Sequence, residues 1–244
     1  EKKEGTLVDN GYRMSVVDLP GTYSLTAYSL EEVVARDFLV NEKPEVVIDI
    51  VDASNLERNL YLAIQFLEMG LSVCIALNMV DVAQKRGIEI DAEKLSAFLG
   101  VPVIPTVART GLGKKDLIAT ARRMAEEDRK QSLFEISYGD DLDRALAKMT
   151  PEIEIHHFLT ETYPARWVAL KYLENDKQIL SKGHQKNPAF SEKLEAIGKK
   201  VLTHLEATVN SYPEAMIVDH RYGYINSIIK QGMVHWQHDQ NRLY

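Results

Sequence analysis

Two short motifs hold the residues whose types and spacing could do chemistry in this chain. Asp18-Leu19-Pro20-Gly21 ends one apolar run, and Asn78-Met79-Val80-Asp81 ends another. In Asp-x-x-Gly, the carboxylate can bind a phosphate-bound metal ion through water, and the glycine lets a bare backbone N–H approach a phosphate closely. In Asn-x-x-Asp, the carboxylate can accept two N–H bonds from a purine base. Together, the motifs predict a nucleotide site.

The second motif indicates which purine is bound. Guanine presents N1–H and an exocyclic amine to a single carboxylate, and adenine cannot, so the carboxylate would be left unpaired against adenine. Asp81 is predicted to take this role, and Asn78 to hold the loop and contact N7. Each motif alone is a weak signal, because Asn and Asp are common in turns. Their order, each at the end of a predicted parallel strand, resembles the phosphate-sensing and guanine-reading motifs of GTPases.

A third loop is expected at the same edge of the sheet, because ligands of such sheets bind at the carboxyl ends of the strands. Val107-Ala108-Arg109 ends the strand-like run that begins at Val101, and Asp52 ends another run. The backbone N–H of Ala108 is the predicted donor to guanine O6. Many GTPases carry Ser at the position of Val107, and the change removes a hydroxyl but leaves this backbone role intact.

The elements that must position these loops alternate between strand and helix up to about Asp128. The predicted strands are Arg13–Leu19, Val46–Val51, Leu71–Leu77 and Val101–Val107. Capping-box patterns at Ser29–Glu32 and Ser54–Glu57 predict two helix starts. Strands alternating with helices predict an α/β fold with a mostly parallel sheet and helices on both faces.

Beyond about Asp128 the pattern is helical, with few strand signals. The predicted helices are Asp140–Met149, Pro164–Leu173, Phe190–Val209 and Tyr222–Lys230. Gly183–Pro188 is polar and is predicted to be a loop between helices. We therefore predict two domains: a nucleotide-binding domain over residues 1–128, and a small all-α domain over residues 129–244.

Composition narrows the class of protein. The 244 residues carry a formal net charge of -7, which argues against nucleic acid as the main partner. Cys74 is the single cysteine, so no intrachain disulfide can form and a reducing compartment fits. The apolar runs are too short to span a bilayer. The sequence does not begin with Met, and we expect it to be part of a longer protein.

The motifs and their surroundings resemble the cytosolic N-terminal portion of FeoB, the bacterial ferrous iron transporter family. The stretches that carry the resemblance are Val17–Leu25, Val51–Leu62, Ala76–Asp81, Trp167–Glu174 and Arg221–Ile225. Ser54–Leu62 is not shared by GTPases generally, which makes the likeness specific. Met79 stands where most GTPases have Lys.

The resemblance implies a truncated Ras-like G domain of the P-loop GTPase class, followed by a helical domain that modulates nucleotide release. GTP or GDP, Mg²⁺ held through water by Asp18, and K⁺ are the implied cofactors. At the position of Thr22, fast GTPases have a Gln that orients the attacking water. The resemblance together with Thr22 therefore implies slow hydrolysis. The implied setting is the cytoplasmic face of the bacterial inner membrane. Its implied partners are a downstream transmembrane domain, further copies in a dimer or trimer, and small Feo accessory proteins.

The chain departs from the family at its beginning. No Gly-rich phosphate loop ending in Gly-Lys-Ser/Thr occurs in the sequence. The strand before that loop is expected between the strands at Ser15 and Val47, and its loss would leave two apolar edges without partners. We therefore expect this polypeptide alone to bind GTP weakly. Two alternatives remain: a nucleotide-sensing module without meaningful hydrolysis, and a soluble GTPase of another family.

Overall fold

The computed structural model describes residues 3–26, 29–127 and 134–236, and it contains short strands and many helices. The strands are β1 Lys3–Asp9, β2 Tyr12–Asp18, β3 Val47–Asp52, β4 Val73–Asn78, β5 Ile88–Ile90, β6 Val103–Pro105 and β7 Val234–Trp236. The helices are α1 Leu30–Glu42, α2 Leu56–Glu68, α3 Val80–Lys85, α4 Ala92–Leu99, α5 Lys114–Glu126, α6 Asp140–Ile155, α7 Ala165–Leu173, α8 Lys177–Lys186, α9 Pro188–Val209 and α10 Pro213–Ile228.

The predicted parallel sheet is confirmed as three strands in the order β3-β4-β6. The central strand β4 is buried along Val73–Leu77, as expected of a strand covered by helices on both faces. The apolar side of α2 packs on β3 and β4, and α5 contacts β4. The sheet and its helices thus form the α/β half that the sequence predicts.

The strand predicted at Arg13–Leu19 forms as β2, but the prediction that it is one of the parallel strands is wrong, because β2 lies outside this sheet. It pairs with β1 in an antiparallel hairpin, and the turn is Asn10-Gly11, with φ of 47° and 84°. Two consecutive positive φ values suit the type of turn that joins two twisted strands tightly. Strand β1 was not among the predicted strands. On the edge strand β3, the side chains of Ile48 and Ile50 are 42% and 67% exposed.

The two predicted capping boxes have different outcomes. The Ser29 hydroxyl oxygen caps α1 by accepting from the Glu32 N–H, and the Glu32 carboxylate accepts from the Ser29 N–H, as predicted. The predicted capping box at Ser54–Glu57 is wrong, because residues 53–55 form a short 3₁₀ turn in which the Ser54 N–H donates to the Asp52 side chain. Helix α2 therefore begins at Leu56 without a side-chain cap.

The second half contains the helices α6 to α10, as its helical pattern predicts. The prediction of a loop at Gly183–Pro188 is wrong. Helix α8 continues to Lys186, and only Asn187 separates it from α9, whose first turn Asn187 caps. Gly183 faces the hydroxyl of Tyr172 so closely that a Cβ would collide with it. The glycine is there for close packing of two helices and not for a turn.

One strand of the second half crosses back to the first. The backbone of β7 pairs with β5, the strand between α3 and α4. Neither of these two strands was predicted from the sequence. The predicted domain boundary at residues 128 and 129 lies outside the described residues.

Candidate functional site

The three parallel strands bring the ends predicted to bind a ligand to one edge of the sheet. Asp52 at the end of β3 lies opposite Asn78 at the end of β4. The backbone N–H of Thr106, just after β6, donates to the carbonyl of Leu77 at 2.8 Å. Because the strands are parallel, their carboxyl ends share one edge, where open α/β sheets bind ligands.

Asn78 holds the loop that follows β6. Its Oδ1 accepts a hydrogen bond from the Ala108 N–H at 3.0 Å and another from the Thr106 hydroxyl at 3.5 Å. The two loops that were expected to contact the base are therefore joined, as the sequence suggested for Asn78. The Ala108 N–H, the predicted donor to guanine O6, is already engaged by Asn78, so its contact with the base remains a prediction.

Asp81 lies in the first turn of α3, beside the same loop. Its carboxylate is 3.8 Å from Nη2 of Arg109, whose side chain is 80% exposed, while that of Asp81 is 30% exposed. Such a long, solvated ion pair is weak, so it leaves the carboxylate available for a stronger partner. The sequence-predicted residues Asn78, Asp81, Ala108 and Arg109 thus form one cluster.

Two backbone features fix the shape of this cluster. Met79 adopts a left-handed conformation with φ of 63°, which costs a residue with a Cβ roughly 1–2 kcal/mol. Such strain lets the chain turn directly from β4 into α3, and strain of this kind concentrates at functional sites. After β6, Val107 is buried, and its carbonyl accepts from the N–H groups of Thr110 and Gly111, which closes the loop.

Gly113, which was not among the predicted site residues, precedes α5 with φ of +75°. A Cβ at this position would collide with the carbonyl oxygen of Pro105, the last residue of β6. Only glycine therefore allows α5 to start so close to the loop that carries Ala108. The signal was available in Gly111-Leu112-Gly113, a pair of glycines directly before a helix.

The Asp18–Gly21 motif forms a separate loop at the end of β2. Asp18 and Gly21 are exposed, whereas Leu19 and Pro20 are half-buried. Among the described residues, no hydrogen bond or ion pair joins Asp18 to the cluster around Asn78 and Asp81. The convergence of the two carboxylates on one ligand therefore remains a prediction.

The residues after Gly21 are ordered by local contacts. The Thr22 hydroxyl donates to the carbonyl of Ser24 and accepts from the Ser24 N–H, so it is turned back into the loop. The guanidinium of Arg58, on α2, lies 3.9 Å from the ring centre of Tyr23. The loop thus follows the surface of α2 and is not free in solvent.

Asp18 also fits the expected role toward Mg²⁺. A magnesium ion in a nucleotide site takes one or two carboxylates, and water and phosphate oxygens supply the remaining ligands. Asp18 is exposed and has no hydrogen-bond or ion-pair partner among the described residues, which suits that role. In the described part of the chain, no group of three or more His, Cys, Asp or Glu side chains could hold a metal ion.

Comparison with known proteins gives two matching family models. The model described as ferrous iron transport protein B matches residues 1–121, and that of the FeoB cytosolic helical domain matches residues 138–234. The chain is 40% identical to an Fe(2+) transport protein A/Fe(2+) transporter FeoB fusion protein of Porphyromonas gingivalis, over 95% of this chain and 28% of that protein. It is 40% identical to the Fe(2+) transporter FeoB of Escherichia coli, over 72% of this chain and 22% of that protein.

Solved structures agree with these matches. The mGMPPNP-bound NFeoB of S. thermophilus is 31% identical, with a TM-score of 0.78, and the match covers 98% of this chain and 86% of that one. The cytosolic domain of the T. maritima FeoB iron transporter in apo form is 29% identical, with a TM-score of 0.76, and the match covers 96% and 84%. The chain thus spans less than a third of the two curated relatives named above but most of these cytosolic-domain structures. In residues 3–26, 29–127 and 134–236, no helix is long and apolar enough to cross a membrane.

Proposed function

Because this chain belongs to the FeoB family of ferrous iron transport proteins, we propose that it binds guanine nucleotides and forms the cytosolic GTPase region of a ferrous iron transporter. The observation that carries the proposal is the cluster of Asn78, Asp81 and Ala108 at the carboxyl edge of the parallel sheet. We propose that residues 1–128 bind the nucleotide and that residues 129–244 regulate its release. Hydrolysis in the longer protein would gate Fe²⁺ uptake at the cytoplasmic face of the bacterial inner membrane.

Recognition of guanine is assigned to Asp81. Its carboxylate would accept N1–H and the exocyclic amine together, and the weak ion pair with Arg109 is the only described contact that must open first. Asn78 acts by holding the loop of Ala108 in place, and Met79 and Val80 shape the turn into α3. A base without the two N–H groups would leave the carboxylate unpaired, which is the source of selectivity.

The phosphate side of the nucleotide is assigned to the loop from Asp18 to Gly21. The Gly21 N–H is the proposed donor to the γ-phosphate, and Asp18 would hold the water shell of Mg²⁺. When bound, the ion would neutralise charge on the phosphates. Leu19 and Pro20, which are half-buried, fix the path of the loop between these two positions.

Slow hydrolysis is part of the proposal. The residue after Gly21 is Thr22, and its hydroxyl is already engaged with the Ser24 backbone. Thr22 has no side-chain amide, and its hydroxyl is not free to orient an attacking water. The same observation favours the alternative of a nucleotide-sensing module without meaningful hydrolysis, and single-turnover measurement of phosphate release separates the two.

Binding by the 244-residue chain itself is proposed to be weak. Its sequence contains no Gly-x-x-x-x-Gly-Lys-Ser/Thr segment, so the lysine and backbone cradle for the β-phosphate are not supplied by these residues. The ligands of a K⁺ ion that would assist hydrolysis are likewise not supplied by these residues. Calorimetric titration of this chain with GTP should give an affinity weaker than micromolar, and a sub-micromolar value would contradict the proposal. Assembly into dimers or trimers, and contact with small Feo accessory proteins, are proposed from the family alone.

The test of guanine recognition is Asp81→Asn in a version of the protein that carries a Gly-rich phosphate loop. Xanthine has a carbonyl where guanine has its amine, and Asn offers an N–H to that carbonyl. We expect the affinity for GTP to fall at least 100-fold and the affinity for xanthosine triphosphate to rise. Asp91→Asn, which keeps the side-chain cap of α4, is the matched control. The assignment would be refuted if the affinities for GTP and for xanthosine triphosphate fell equally, or if neither affinity changed.

A further inference from the structure

The loop that follows Gly21 is held at one buried point, Leu25. Its side chain is 1% exposed, its N–H donates to Oε1 of Gln65 on α2 at 2.6 Å, and its carbonyl accepts from Nη1 of Arg36 on α1 at 3.3 Å. Because Gly21 lies only four residues before this point, it stays within about 14 Å of Leu25 even if the chain between them is fully extended. The position of Leu25 thus limits where the Gly21 N–H can reach.

Arg36 connects this point to the helical half of the molecule. The side chain is fully buried, and Asp176 binds it with both oxygens, at 2.6 Å from Nη1 and 3.3 Å from Nη2. Gln178 accepts a further hydrogen bond from Nη2 and donates to Asp37 at 3.2 Å. A guanidinium removed from water needs such partners. Arg36 can therefore change position only if Asp176 moves with it or another acceptor takes the place of Asp176.

Asp176 is at the same time the N-cap of α8. Its Oδ1 accepts from the N–H groups of Gln178 and Ile179, both at 3.1 Å. One carboxylate therefore fixes the start of α8 and neutralises the arginine that holds Leu25. A displacement of α8 would be transmitted to the loop through Arg36, whose charged partner Asp176 lies 140 residues away in sequence.

We propose that Arg36 and Asp176 are positioning residues, which set the place of the Gly21 N–H and so make nucleotide discrimination depend on the helical half. The inference rests on the proposed function, since it assumes that Gly21 approaches the γ-phosphate. The pair holds the loop at Leu25 in the arrangement seen here. A γ-phosphate that draws Gly21 toward itself pulls on this pair, and the helical half responds through α8.

The variant that tests the pair is Asp176→Asn. Asn is as good an N-cap as Asp, so α8 keeps its cap. The new amide N–H₂, however, faces Nη1 of Arg36, where a carboxylate oxygen accepted before, so the arginine loses its charged partner. Asp91→Asn is the matched control, because Asp91 caps α4 in the same way through the Lys94 N–H at 3.0 Å without holding a buried arginine. Arg36→Lys, which keeps the charge but loses the two-pronged geometry, is the second variant.

The first measurement uses the 244-residue chain and needs no nucleotide. Hydrogen exchange at the Leu25 amide, followed by mass spectrometry, should become at least tenfold faster in Asp176→Asn and in Arg36→Lys, but not in Asp91→Asn. Far-ultraviolet circular dichroism establishes that the variants are folded. Unchanged exchange in both variants would overturn the proposal, whatever the protein binds.

The second measurement separates a positioning role from a purely structural one. In a version of the protein with a phosphate loop, the ratio of affinities for a non-hydrolysable GTP analogue and for GDP should change at least fivefold in Asp176→Asn and stay constant in Asp91→Asn. An unchanged ratio alongside faster exchange would refute the positioning role. If the unaltered protein binds neither nucleotide, the proposed function itself fails, and the inference about Gly21 fails with it.

Discussion

Replacement of the buried carboxyl of Asp49 should stabilise this protein at neutral and alkaline pH. Asp49 lies on the edge strand β3, only 7% exposed, and its Oδ2 has no hydrogen-bond partner. Burial raises the pKa of this carboxyl from its ordinary value of 3.8 to about 7. The charged form is the one that burial penalises, so the cost appears as the group ionises.

The direction of the pH dependence follows from which state binds the proton more tightly. The folded chain holds the proton up to a pH of about 7, whereas the unfolded chain releases it near 3.8. The contribution of Asp49 to stability is therefore complete below pH 3.8, falls as the pH rises toward 7, and is constant above that. Over this range, the loss for one buried carboxyl amounts to at most about 4 kcal/mol.

The variant Asp49→Asn keeps the size of the side chain and removes the charge. We expect the free energy of unfolding at pH 8 to rise by about 2–4 kcal/mol, and the decline of stability between pH 4 and 7 to become shallower. Urea unfolding followed by circular dichroism at a series of pH values measures both. Glu89→Gln, which removes an exposed carboxylate from strand β5, is the control and should change the unfolding free energy by less than about 0.5 kcal/mol. An Asp49→Asn variant that is no more stable than the parent at pH 8 would refute the reasoning.

Two further substitutions test the packing around the site and between the halves. Gly113→Ala should lower the free energy of unfolding by about 2–4 kcal/mol, because strain from the left-handed backbone adds to a collision with a backbone carbonyl. Gly111→Ala, where φ is +79° but the surrounding space is open, should lower it by about 1 kcal/mol. Arg221→Met should cost about 3–5 kcal/mol because Glu68 and Glu174 both lose the buried cation that pairs with them. The exposed Arg144→Met should cost less than about 1 kcal/mol. Urea unfolding measures all four, and equal costs within either pair would contradict the explanation.

The positions of Asn78 and Ala108 could be predicted from the sequence because they depend on local signals. An apolar run followed by a polar motif marks the end of a buried strand, and parallel strands place such ends at one edge. Neither step needs a distant contact. The contact of the Asn78 side chain with the Ala108 N–H then follows from two loops that are neighbours in space.

The hairpin and helix α8 were missed for different reasons. The segment Lys3–Asp9 has few apolar residues and includes Gly5, so it does not show the alternation of a half-buried strand, although Asn10-Gly11 is a strong hairpin signal. At Gly183 the sequence showed a glycine among polar residues, which usually indicates a loop. Close packing against Tyr172 decides the structure there, and packing between distant helices leaves no local mark.

The links between the two halves lie furthest from what one sequence can predict, and they change what the two predicted domains mean. Arg36 and Arg221 are both fully buried, and each finds a carboxylate on the other side of the residues 128–133: Arg36 binds Asp176, and Arg221 binds Glu68 at 2.7 Å. Burying a charge is favourable only when its partner is present with good geometry. If the halves were separated, each arginine would lose a carboxylate that neutralises it, and new polar surface would have to be hydrated. The boundary in the sequence thus divides the secondary structure, but buried ion pairs join the two halves. We therefore expect movement of the helical half to reach the loop after Gly21.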